Sequence, residues 1–153
     1  MSSFSLTLRN HVSEIRRLVD RVEAFGAEAG LPPDITFRLT LALDEAVSNV
    51  IRHGFTDGAE HRISVTAHVA DGMVTARVED DGMPFDPHDA PAPDLDAPIQ
   101  QRAPGGLGVH LVKATMDQVR YRRAGDRNVL TLQTGTQSRD GRGAEADESR
   151  RTS

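Results

Sequence analysis

The chain has 153 residues, 37% of them hydrophobic, with 18 basic side chains against 23 acidic ones and a formal charge of −5. That length suits one domain around a single core, the charge leaves no global basic field to hold a nucleic-acid backbone, and the lack of cysteine excludes disulfides, thiolate metal sites and cysteine nucleophiles. No run approaches the roughly 18 consecutive apolar residues of a membrane span and residues 1–10 lack the apolar segment of a signal peptide, so the expected location is the cytoplasm, away from membrane and nucleic acid.

Phe4, Leu6 and Leu8 alternate with polar residues and predict a short first strand. The period then changes. Val12, Ile15, Leu18, Val19, Val22 and Phe25 recur at three and four, the stripe of an amphipathic helix whose end Gly26 and Gly30 weaken. Leu31-Pro32-Pro33-Asp34 breaks the chain before a second helix, expected from Asp34 to His53. Ile63, Val65, Ala67 and Val69, then Val74, Ala76 and Val78, predict two antiparallel strands around an Asp71-Gly72 turn, with Asp80 continuing the inward phase. From Phe85 to Pro104 the chain is rich in Pro, Asp and Ala without periodicity, the composition of a long functional loop or mobile lid. Gly105-Gly106-Leu107-Gly108 opens a third helix through about Met116, and strands follow at Val119–Arg123 and Asn128–Thr134 around Ala124-Gly125-Asp126-Arg127. Residues 135–153 contain no Val, Ile, Leu, Met or aromatic residue and read as a disordered tail behind a folded unit of residues 1–134. The order of elements predicts an α+β two-layer sandwich, with helices on one face of a mostly antiparallel sheet.

Three segments carry chemistry. Glu45 and Asn49 lie four apart in the second predicted helix and therefore share a face, with Arg38, Ala42 and Arg52 on the same stripe. A carboxylate there can activate a hydroxyl or water, and a carboxamide oxygen can help hold Mg2+ carried by a nucleotide; taken alone, the spacing more often marks an ordinary polar helix face. In Asp80-Asp81-Gly82-Met83-Pro84, an inward carboxylate that only accepts hydrogen bonds suits an amino donor such as the edge of adenine, and Gly82 permits close backbone approach. The same residues also make a plain turn. Gly105-Gly106-Leu107-Gly108 can bring backbone N–H groups and a helix N-terminus toward phosphate, although it matches neither the P-loop nor the dinucleotide-binding glycine pattern. His11, His61, His68, His88 and His110 lack metal-ligand spacing and read as surface or packing residues, while Arg120, Arg122 and Arg123 read as a solvated, charged strand edge.

In this order, with the long loop between the second and third, the segments resemble the ATP site of the GHKL, or histidine-kinase-like, ATPase superfamily. Leu43 to Asn49 with Arg52-His53-Gly54-Phe55 looks like its N box, Asp80-Asp81-Gly82 like its first glycine box, and Gly105 to Val112 like its second. The likeness spans about Leu8 to Thr134, and the short chain with a helix leading into the N box is most similar to the anti-sigma-factor serine kinases. The resemblance implies ATP and Mg2+ as cofactors, Glu45 as catalytic base, Asn49 as Mg2+ ligand, His53 beside phosphate or ribose, and Asp80 as the adenine reader. It also implies that Gly82, Gly105, Gly106 and Gly108, with Leu107 among them, serve lid hinging and phosphate approach. By the same resemblance the protein phosphorylates an anti-anti-sigma protein, otherwise sequesters a sigma factor, and pairs as a homodimer through its first helix and strand. Pro84 departs from the pattern: many members carry a second glycine there, and proline reduces hinge freedom. A nucleotide-gated binding module without phosphotransfer and a detached histidine-kinase catalytic module share the same ATP-site residues, and a structural domain with coincidental motifs is a further alternative.

Overall fold

In the computed structural model, which describes residues 2–86 and 112–138, the first alternation becomes strand β1, Ser3–Arg9, with Phe4 and Leu8 turned into the core. A 3-10 turn over Val12–Glu14 leads into helix α1, Ile15–Glu28. Val12 departs from the expected stripe: it sits in the turn, 72% exposed, while the buried positions of α1 are Leu18, Val22, Phe25 and Gly26. Phe25 meets Phe4 edge-on at 5.2 Å between ring centroids, a geometry that contributes about 0.5–1.5 kcal/mol beyond area burial. Glu14 adds a polar tie between strand and helix. Its buried carboxylate accepts from Arg9 Nε at 2.7 Å and from Arg17 Nη1 at 2.6 Å, and these bonds, led by that from Arg9, hold its carboxyl below the usual carboxylate range.

Gly26 does not end α1. A Cβ there would lie 2.3 Å from Thr36 Oγ1, so the missing side chain is what lets the next helix cross closely. The helix stops at Gly30, whose φ of 66° permits the terminal pair of bonds from Leu31 N to Gly26 O and from Gly30 N to Ala27 O. Helix α2 then spans Pro33–His53, with Pro33 in its first turn, where its missing N–H has no helical partner to lose. Ile35, Leu39, Ala42, Leu43, Ala46 and Val47 form its buried stripe.

Strands β2, Arg62–Ala70, and β3, Met73–Asp80, make the expected hairpin, with positive φ at both Asp71 and Gly72. Strands β4, Gln118–Ala124, and β5, Arg127–Gly135, close around Gly125, whose φ is 62°. The sheet is antiparallel throughout, in the order β1-β2-β3-β5-β4. Its inward residues, among them Ile63, Val65, Val74, Ala76, Val78 and Leu132, pack with the buried stripes of α1 and α2 in one core. The α+β sandwich read from the sequence is the observed architecture. β5 lies between β3 and the edge strand β4, which sets Asp80 directly opposite Asn128.

Residues 112–115 are helical, and Val112 and Met116 join the core. The glycines Gly105, Gly106 and Gly108 with Leu107, the loop from residue 87 to Pro104, His88, His110 and the chain from residue 139 lie outside the described residues.

Candidate functional site

A cleft of about 560 Å³, counting the solvent at its mouth, opens between the C-terminal half of α2 and the adjoining ends of β3, β4 and β5. That volume is in the range of small-molecule sites. Ala46, Asn49, Val50 and His53 line it from α2, Val78 and Asp80 from β3, and Tyr121, Asn128 and Leu130 from β4 and β5. Met83 and Phe85 stand at its edge, 53% and 43% exposed.

Asp80 ends β3 on the inward phase, as the alternation predicts, and is 3% exposed. Its Oδ1 accepts from Gly82 N at 2.8 Å and from Asn128 Nδ2 at 3.0 Å, and among the described residues no donor reaches Oδ2. A carboxylate with one oxygen saturated and the other turned to a cleft is poised for one donor from a ligand. Gly82 packs so closely that a Cβ would lie 2.5 Å from Gly54 O and 2.9 Å from Asp80 Oδ1. Met83 N donates to Gly54 O at 2.7 Å, which joins this turn to the end of α2.

At the helix end of the cleft, Asn49 is 6% exposed and its Oδ1 accepts from Arg52 Nη2 at 3.0 Å. Arg52 Nη2 also lies 3.8 Å from Glu45 Oε2, so one guanidinium bridges the two residues that the sequence pairs on this face. Glu45 is outside the cleft lining, one residue before Ala46, which lines it, and its side chain is 28% exposed. His53 lines the cleft from the last turn of α2. Arg38, lower on the stripe, is tied to Asp34 at 3.3 Å and takes no part in the lining.

The spacing of the histidines did not single out His61, yet it stands beside this turn. Its ring stacks on Phe55 at 4.2 Å, Nε2 lies 2.7 Å from Asp57 Oδ2, and Nδ1 lies 3.4 Å from Asp81 Oδ1. Carboxylates only accept, so both can be served at once only by an imidazolium with two N–H donors. The bond to Asp57, with the charges of Asp57 and Asp81, accordingly raises the His61 pKa against a smaller opposing effect of burial.

Asn128, Tyr121 and Arg123 also went unread in the sequence as site residues. Asn128 Nδ2 donates to Met83 O at 2.9 Å as well as to Asp80, while its Oδ1 accepts from the Tyr121 hydroxyl and from Arg123 Nη1 at 3.1 Å. Arg123 is not a free edge charge, because Nη1 also donates to Gly82 O at 2.7 Å. Only the observed strand order brings these side chains to Asp80, so no local motif announces them.

Among known proteins, the family described as histidine kinase-like ATPase domain matches residues 4–134. The serine/threonine-protein kinase BtrW of Bordetella bronchiseptica is 35% identical over 98 residues, which are 64% of this chain and 69% of that protein. The serine-protein kinase RsbW of Listeria innocua is 26% identical over 111 residues, 65% of this chain and 66% of its own length. Among solved structures, part of the chain that carries the RsbU and RsbW domains of Rv1364c from Mycobacterium tuberculosis shares the fold, with a TM-score of 0.66 at 20% identity over 88% of this chain and 32% of that one.

Proposed function

We propose, from the premise that this chain belongs to the histidine kinase-like ATPase domain family and is similar to the serine/threonine-protein kinase BtrW and the serine-protein kinase RsbW, that it binds Mg·ATP in the cleft between α2 and the sheet and transfers phosphate to serine on an anti-anti-sigma protein. When that protein is absent or already phosphorylated, the kinase holds a sigma factor by direct contact. The carrying observation is Asp80: a buried carboxylate at a strand end, with one oxygen occupied and one turned to the cleft. Such a group is costly to bury without partners, and the amino group of adenine supplies the donor that Oδ2 lacks among the described residues.

Bound Mg·ATP supplies the γ-phosphoryl group. Asn49 Oδ1 has two lone pairs, one taken by Arg52, and offers the other to Mg2+. Among the described residues no three His, Asp or Glu side chains cluster to hold a metal by themselves. One amide oxygen combined with nucleotide phosphates fits the way Mg2+ is bound with few protein ligands. His53 faces the phosphate or ribose. Glu45, next in sequence to the cleft-lining Ala46, accepts the proton of the incoming serine hydroxyl. Gly82, with Gly105, Gly106, Leu107 and Gly108, lets backbone approach the nucleotide and the lid turn. No helix among the described residues is long and apolar enough to cross a membrane. The kinase works in the cytoplasm as a homodimer joined through α1 and β1, the edge strand of the sheet.

A second reading, a nucleotide-gated binding module, draws on Arg52: with its guanidinium 3.8 Å from Glu45 and 3.0 Å from Asn49, the base is engaged before any acceptor arrives. Labelled Mg·ATP incubated with the kinase and a purified anti-anti-sigma protein separates the readings. Acid-stable phosphoserine on the partner supports the kinase. ATP binding without transfer leaves the module, and acid-labile phosphate on a histidine points to a histidine-kinase catalytic unit.

A further inference from the structure

Asp80 alone does not determine which base the cleft accepts. Guanine presents two adjacent donors, N1–H and the N2 amino group, and a carboxylate reads them with both oxygens. Adenine presents a single exocyclic amino donor on the corresponding edge, which one oxygen satisfies. In this chain Oδ1 of Asp80 is filled: Gly82 N donates to it at 2.8 Å and Asn128 Nδ2 at 3.0 Å. An oxygen with two lone pairs and two donors has nothing left to offer a ligand.

The Asn128 carboxamide is itself fixed in orientation. Its Oδ1 accepts from the Tyr121 hydroxyl and from Arg123 Nη1, while its Nδ2 faces Asp80 Oδ1 and Met83 O. Flipped, it would set an amino group against the guanidinium and an oxygen against both a carboxylate and a carbonyl. Asn128 is 6% exposed and Asp80 3%, so water has little room to replace either partner. The carboxylate can neither swing nor free its second oxygen without breaking bonds anchored on two further strands.

We propose that Asn128, oriented by Tyr121 and Arg123, is a positioning residue that makes Asp80 a one-oxygen reader and thereby sets the preference of the site for adenine over guanine nucleotides. This inference rests on the reading of the cleft as a nucleotide site. It assigns β4 and β5 a direct part in base selection, through a side chain that touches Asp80 rather than the phosphates.

The test is calorimetric titration of the full chain with Mg·ATP and with Mg·GTP, for the wild type, Asn128→Ala and Tyr121→Phe, with thermal unfolding as the check on folding. The wild type binds ATP more tightly than GTP by at least about tenfold, the difference expected when one buried hydrogen bond is mismatched. Asn128→Ala opens one lone pair of Oδ1 while the bond from Gly82 N stays, weakens ATP and improves or leaves GTP, so the ratio falls by about tenfold. Tyr121→Phe removes one anchor of the carboxamide and lowers the ratio in the same direction by about threefold. If Asn128→Ala does not fold, the Tyr121→Phe ratio decides. A variant that weakens both nucleotides equally, or leaves both unchanged, overturns the inference while the nucleotide site stands. A folded wild type that binds neither nucleotide overturns the site itself, and this inference with it.

Discussion

At the sheet end of the cleft, Asp80 and Asn128 are 3% and 6% exposed and share hydrogen bonds with Gly82, Met83, Tyr121 and Arg123. At the helix end, the Glu45 and Arg52 side chains are 28% and 45% exposed and 3.8 Å apart. Buried polar groups must find partners within the fold, and those partners fix their direction before a ligand arrives. Half-exposed charges trade partners with water at little cost. The sheet end is therefore preformed, and under the proposed function the helix end is free to rearrange as an acceptor protein docks. Asn49 belongs to both: it is buried at 6% but bonded to Arg52, whose side chain is 45% exposed.

The largest effect that follows from this contrast concerns chemistry without binding. Glu45→Gln keeps the shape of the side chain and removes the base, so phosphotransfer to the partner falls by about 10² to 10⁴-fold while ATP affinity stays within about twofold, since Glu45 lies outside the cleft lining. Single-turnover phosphotransfer beside calorimetry measures both; an equal loss in each would dissolve the division between the two ends.

Next in size is a backbone clash at the preformed end. Gly82→Ala sets a Cβ 2.5 Å from Gly54 O, a main-chain atom that cannot simply rotate away. The expected cost is about 1–3 kcal/mol in urea unfolding, with ATP affinity lowered as well because the turn carries a donor to Asp80. An unchanged unfolding midpoint would mean that this end yields more easily than its packing indicates.

The smallest effect is the pH dependence of the His61 clasp. Its pKa is raised in the folded state, so the folded protein holds the proton more tightly than the unfolded chain. The contribution is fully present below the ordinary value of 6.5 and is lost as pH rises through the higher folded value. The difference in melting temperature between wild type and His61→Gln should therefore be larger near pH 6 than at alkaline pH. It should also shrink with added salt, because Asp57 and Asp81 are half exposed. A difference that grows with pH would reverse the assigned sign.

Much of the fold was legible because its signals are local. Alternation at residues 63–69 and 74–78 became β2 and β3, the Asp71-Gly72 turn formed with the positive φ values its residues favour, and Asp80 kept the inward phase of its strand. At Gly26, two residues before α1 ends, the sequence did not show the close crossing of α2 at Thr36, a tertiary fact that propensity does not contain. Glu45, Asn49, His53, Asp80 and Gly82 could be singled out from motif and spacing. Asn128, Tyr121 and Arg123 could not, since their part in the site depends on β5 lying between β3 and β4 and on the pairing of Asp80 with Asn128, 48 residues apart. His61 reaches Asp81 only through a loop that folds Phe55 against its ring, which spacing again does not show.

The most direct measurement is calorimetric titration of the wild type and Asp80→Asn with Mg·ATP and Mg·ADP. Saturable binding by the wild type, weakened about tenfold or more by a substitution that removes a charged acceptor, is the result this account predicts. A folded wild type that binds neither nucleotide, or binding indifferent to Asp80→Asn, would contradict the assignment of the cleft to an adenine nucleotide.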